Sequence, residues 1–156
     1  MTLENRPVLA DPAFRWEDVV VGERHRSGPY TLSEDEIIAF ARRYDPLPIH
    51  LDPAAAAASP FGGLTASGSQ MLSVRQRLLY DFAFSGGVIV SLGFEEVRYA
   101  APLRAGRRCV VEIEFLAKRP SNSQPERGIV TIGTTLLAED EAVLTLRENV
   151  LMRRRL

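Results

Sequence analysis

The chain has 156 residues, 46% of them hydrophobic, which suffices for one domain with its own core and is too little for two. A formal net charge of -1 and a pI near 6.1 give no basic field, so neither nucleic acid nor an acidic membrane surface is an expected partner. No stretch reaches the roughly 20 apolar residues that cross a bilayer, and MTLENRPVLADP lacks the apolar centre of a signal peptide, so a soluble, cytoplasmic protein is expected.

Residues 1–13 read as an irregular arm, and residues 14–156 as a single domain. After a lead-in from Trp16 to Gly22, a first strand is expected from Glu23 to Leu32, with His25 on its surface. Ser33 and Glu36 form a capping-box pattern, and Ile37, Phe40, Ala41 and Tyr44 then share one helical face. That short helix leads straight into Asp45.

The stretch YDPLPIHLDPAAAAASPFGGLTASGS, Tyr44 to Ser69, concentrates the chemistry. Pro46 and Pro48 disfavour helix at Asp45 and Leu47, so the backbone from Tyr44 to Ile49 is expected to be extended or turned. Asp45 and His50 are its titratable pair. A neutral imidazole beside a carboxylate takes a proton from water near neutral pH, which suits general base work. The same residues also admit a structural role, with Asp45 capping the preceding helix and His50 as an ordinary loop histidine. Asp52 and Pro53 open a short alanine-rich turn that Pro60 stops. Gly62 and Gly63 then precede a long helix expected from Leu64 or Thr65 to about Phe84, whose free N-terminal amides suit an oxyanion. Its apolar face carries Met71, Val74, Leu78 and Phe82, with Arg75, Gln76 and Asp81 expected on the surface. The first turns are nearly all small residues, among which Ser67, Ser69 and Gln70 are candidate hydrogen-bond donors to a ligand.

The remainder reads as strand. Val88 to Leu92 and Phe94 to Ala100 flank Gly93, which is expected to form a bulge. Val111, Ile113, Phe115 and Ala117 alternate with polar residues, and two further strands, Ile129 to Leu137 and Val143 to Met152, follow. Cys109, the sole cysteine, sits in this apolar alternation as an expected buried thiol. One strand, two helical segments and an antiparallel run of four strands make an α+β domain, with the long helix covering one face of the sheet.

Asp45, Pro48, Ile49 and His50 in DPLPIH, followed by ASPFGGLTASG, resemble the MaoC-like dehydratases, which include the (R)-specific enoyl-CoA hydratases. Leu47 stands where the family pattern has Asn. The resemblance implies a hot-dog fold over residues 14–156, an antiparallel sheet wrapped around a central helix, and a homodimer or higher homo-oligomer. It implies that Asp45 and His50 activate a water, while the Gly62 and Gly63 amides bind the thioester oxygen; Ser67 and Gln70, read from their own positions, are the further candidates for substrate binding. The expected reaction is reversible hydration of a trans-2-enoyl thioester to an (R)-3-hydroxyacyl thioester. Coenzyme A enters as part of the substrate, and no metal or other cofactor is expected. Thioester hydrolysis on the same scaffold and non-catalytic acyl-CoA binding are the alternatives. Two basic clusters are candidates for the phosphates of coenzyme A. One is Lys118, Arg119 and Arg127, and the other is Arg104, Arg107 and Arg108.

Overall fold

The computed structural model describes residues 2–155. The expected first strand is two short pieces, β1 (Arg24–Arg26) and β2 (Tyr30–Thr31), both paired antiparallel to the same later strand. Between them the ladder is interrupted at Ser27, whose amide bonds to the Val111 carbonyl at 2.8 Å and whose hydroxyl accepts from the Val111 amide at 2.9 Å. Helix α1 (Glu34–Tyr44) starts on the expected capping box, with Ser33 accepting from the Glu36 amide and the Glu36 carboxylate accepting from the Ser33 amide. Pro48 opens a one-turn helix, α2 (Pro48–Leu51), where an irregular loop was expected, because proline at the first helical position has its φ already set. Asp52 caps α3 (Pro53–Ala58) through the Ala54 and Ala55 amides.

The central helix is shorter than its sequence suggested. Helix α4 spans Gly68–Leu78, capped by Ser67, and continues only as 3₁₀ turns over Leu79–Asp81 and Ala83–Gly87. The run Leu64 to Ala66 is extended instead, because its amides are taken by other segments: Thr65 bonds the Ile49 carbonyl and Ala66 the Leu103 carbonyl.

Four long strands complete the chain: β3 (Val88–Tyr99), β4 (Arg108–Pro120), β5 (Arg127–Ala138) and β6 (Glu141–Arg153). All pairs are antiparallel, in the order β1-β4-β5-β6-β3, with β2 also on β4. Inward-facing Val111, Ile113, Phe115, Val130, Ile132, Leu136 and Leu146 meet Met71, Val74 and Leu78 of α4 in one core. Burying each such side chain is worth about 1.5–3 kcal/mol. Gly93 lies at one of three register shifts along β3, with φ at +134°, as a bulge there requires.

Three polar residues depart from their expected surface positions. Arg75 is fully buried: its guanidinium donates to Glu148 and to Thr134 Oγ1 and faces the Phe94 ring at 5.6 Å. Burial pulls it below the ordinary guanidinium range, and the Glu148 charge opposes that pull. Asp81 is held by Arg6 of the N-terminal arm and accepts from the Gly28 amide. That arm also bonds along the 3₁₀ segment, Leu9 to the Tyr80 carbonyl and Asp11 to the Ala83 carbonyl. His25 is half-buried, with its ring 5.6 Å from Phe115 and 6.0 Å from Phe82.

Breaking the Arg75 pair leaves an uncompensated buried charge, so Glu148→Gln should lose about 3–5 kcal/mol in urea unfolding. The double replacement Arg75→Met with Glu148→Leu should recover most of that loss. Burial pushes the Cys109 thiol up from 9.0 to about 11. A raised thiol favours the folded state fully at lower pH, and that preference is lost as pH climbs from 9.0 toward about 11. Stability should therefore fall across that window, and Cys109→Ala should flatten the slope.

Candidate active site

Asp45 and His50 occupy the ends of a single tight connection. Asp45 is the C-cap of α1, and its amide bonds the Ala41 carbonyl at 3.0 Å. Its carbonyl accepts from Leu47 at 2.9 Å, and the Leu47 carbonyl accepts from the His50 amide at 2.9 Å. This folding of two prolines and a one-turn helix brings the two side chains face to face. His50 Nε2 lies 3.8 Å from an Asp45 carboxylate oxygen.

The other face of the imidazole is fixed. Nδ1 sits 2.7 Å from the Thr65 carbonyl oxygen, with the Thr65 hydroxyl at 3.4 Å. A carbonyl can only accept, so Nδ1 carries the proton and Nε2 of the neutral ring holds a free lone pair. The His50 side chain is 8% exposed and that of Asp45 32%, so the pair opens to the surface on the carboxylate side. Two acceptors 3.8 Å apart can each reach one water at about 2.8 Å. This arrangement can therefore accept a hydrogen bond from each O–H of one water and take one of its protons on Nε2.

Leu47, in the position of the family Asn, is 53% exposed, and its aliphatic side chain has no hydrogen-bonding group. The glycine corner is adjacent, because Thr65 follows it by two residues, but the corner is not at a helix N-terminus. Gly62, with φ at +65°, spends its amide on the Ser59 carbonyl at 3.0 Å. The Gly63 amide has no hydrogen-bond partner among the described residues.

Ser67 and Gln70 are buried at the start of α4. The Ser67 hydroxyl accepts from the Gln70 amide, the Gln70 side-chain nitrogen donates to the Glu36 carbonyl at 3.0 Å, and its side-chain oxygen is buried without a partner among the described residues. Two residues with no sequence signal adjoin this corner. The Tyr99 ring lies on Gly68, where a Cβ would come within 2.5 Å of it. The Thr65 contribution is a backbone carbonyl, which any residue would supply.

Lys118, Arg119 and Arg127 are not brought to this corner. The Lys118 ammonium is 4.6 Å over the Trp16 ring and donates to the Trp16, Glu17 and Val19 carbonyls, while Arg127 pairs with Glu126. They lie ten or more residues along β4 and β5 from Arg108, a separation of about 30 Å at the usual rise of a strand. Arg107 donates to Glu141 and to the Ala138 carbonyl. Arg104 of the second cluster reaches the glycine corner, donating to the Phe61 carbonyl two residues before Gly63. A cavity of about 670 Å³ on the outer face of the sheet, between Arg24, Glu114, Arg98 and Arg147, is lined by neither Asp45 nor His50. No cluster of three metal-ligating side chains occurs among the described residues.

The MaoC like domain matches residues 18–138. A MaoC-like dehydratase from Rhodospirillum rubrum superimposes with a TM-score of 0.85 at 36% identity, covering 92% of this chain and 99% of that one. The uncharacterized protein YdeM of Bacillus subtilis is 26% identical over 120 residues, 76% of this chain and 84% of that one. The 3-hydroxyacyl-thioester dehydratase Z of Mycobacterium tuberculosis is 36% identical over 81 residues. That match covers 50% of this chain and 54%, about half, of the dehydratase. With its antiparallel sheet closed over α4 and this motif at the mouth of the helix, the chain belongs to the MaoC-like family and has the hot-dog fold.

Proposed function

We propose that this protein adds water reversibly across the double bond of a trans-2-enoyl thioester, giving a 3-hydroxyacyl thioester of (R) configuration, with coenzyme A as the carrier. The observation that carries the reading is the pairing of an Nε2 lone pair with a carboxylate oxygen at 3.8 Å, its tautomer held by the Thr65 carbonyl. The name of the mycobacterial relative, a 3-hydroxyacyl-thioester dehydratase, supports the same chemistry in the reverse direction.

In the proposed reaction one water donates to both His50 Nε2 and Asp45. As its oxygen bonds to C3, Nε2 takes a proton and the C2–C3 π electrons move toward the thioester oxygen. The imidazolium formed is stabilised by the Asp45 charge. Return of a proton to C2 completes the addition and restores the neutral ring, so the protein ends unchanged. Charge on the thioester oxygen would be met by the Gly63 amide. Removing a donor of that kind typically costs about 10²- to 10³-fold.

The proposed assembly is a homodimer through β3. This strand pairs with β6 on one side only, and residues on both of its faces are exposed, among them Val90, Leu92, Phe94 and Tyr99 at 43–53%. A row of free backbone groups flanked by exposed apolar side chains is a template for another strand. Tyr99 already touches the first turn of α4, so a second copy there would border the site.

With crotonyl-CoA, loss of enoyl absorbance is expected, and His50→Ala and Asp45→Asn should each lower kcat by at least about 10²-fold. Full turnover by both variants would reject the assignments, and release of free thiol instead would identify thioester hydrolysis. Sedimentation should give the mass of two chains, and Val90→Glu should shift the protein to a single chain. A wild-type monomer would refute the assembly.

A further inference from the structure

We propose that Arg104 is the second donor to the thioester oxygen, in the place that Gly62 cannot fill; this rests on the hydration reading above. An oxygen gathering negative charge needs more than one donor, and of the two glycine amides only that of Gly63 is free. The guanidinium of Arg104 lies over that residue: its Nη1 is 2.5 Å from where a Gly63 Cβ would be, and its Nη2 donates to the Phe61 carbonyl. A side chain at residue 63 would have to displace this guanidinium.

The placement of Arg104 is tied to that of His50. The carbonyl of the neighbouring Leu103 accepts from the Ala66 amide at 2.8 Å, and the carbonyl of Thr65 holds Nδ1 of His50 at 2.7 Å. Arg104, Gly63 and His50 are therefore anchored to one short extended segment. The turn that carries Arg104 is itself fixed by the Gly106 amide on the Leu32 carbonyl at 2.9 Å and by Leu103, which is fully buried.

Arg104 is also unspent. Arg104 has no carboxylate partner among the described residues, whereas Arg107 of the same cluster is paired with Glu141. A guanidinium has five N–H donors and stays protonated at any working pH. One donor is used on Phe61, which leaves a half-buried cation with free donors beside a free amide. The chemistry it fits is an anionic oxygen. The thioester oxygen in the transition state and a phosphate of the carrier are the two sources, and the geometry points to the first because the guanidinium sits on the same glycine as the free amide.

The test compares crotonyl-CoA with the crotonyl thioester of N-acetylcysteamine, which has no phosphate. Arg104→Ala should lower kcat by about 10²- to 10³-fold on both, with little change in KM. Arg104→Lys should retain more activity, and added guanidinium should restore part of the rate of the alanine variant. A loss confined to KM for the coenzyme A substrate would assign Arg104 to a phosphate and overturn the proposal. Equal losses in both variants, unrescued by guanidinium and matched by a lowered Tm, would show a purely structural role and overturn it too. A second measurement does not depend on turnover. Bound acetoacetyl thioester of N-acetylcysteamine should ionise to its enolate at lower pH on the wild type than on Arg104→Ala, read from the enolate's near-ultraviolet absorbance. If the wild type hydrates neither substrate yet shows this difference, the hydration reading fails and the role of Arg104 stands. If the enolate signal is the same in both proteins, the role of Arg104 fails whether or not water is added.

Discussion

The hydrogen bond from His50 Nδ1 to the Thr65 carbonyl joins two segments whose positions are otherwise set by different parts of the fold. Helix α2 is fixed by Pro48 and by its short span from α1, whereas residues 64–66 are fixed by the Ile49 and Leu103 carbonyls. Their meeting decides the tautomer of the ring, and the tautomer decides which nitrogen faces Asp45. With the proton on Nε2 instead, the ring would present a donor to the carboxylate and have no lone pair to offer a water. A single backbone carbonyl therefore sets the acid–base character of the site.

Polar burial in this domain follows one rule, which is that each sequestered charge has a partner from a distant part of the chain. Arg75 meets Glu148, 73 residues away, and Arg6 meets Asp81, 75 residues away. The first pair ties the central helix to β6, and the second ties the N-terminal arm to the end of that helix. Replacing such pairs by apolar residues is often neutral or stabilising, so their presence is weak evidence of net stability. Among the described residues, Gln70 Oε1 is buried without a hydrogen-bond partner, as are Nε of Arg75, Nη1 of Arg77 and Nε of Arg147.

Much of this was legible in the sequence where a residue type carries its own geometry. The Ser33–Glu36 capping box, the Asp52 cap, the two-residue alternation of β4 and the positions of β5 and β6 all appear where the pattern placed them. What stayed hidden depended on partners. Arg75 read as a surface residue because nothing local announces Glu148. The start of α4 read three or four residues early because Thr65 and Ala66 are compatible with helix, and only the long-range bonds to Ile49 and Leu103 pull them out of it. The Thr65 carbonyl left no trace, since a backbone atom has no residue signature. Pairing of β3 with β6, the most distant of the three strands that follow it, is likewise a property of the whole sheet and not of either strand alone.

The two rims of the sheet are unlike. One is β3, twelve residues long and bent by three register shifts, and the other is β1 and β2, of three and two residues. A head-to-tail ladder, rim against opposite rim, would have only those few residues to grip, so endless fibre growth gains almost nothing. Strand addition between like rims uses both long edges at once and leaves none over. The inequality of its borders thus favours the proposed pairing of like rims over an open polymer.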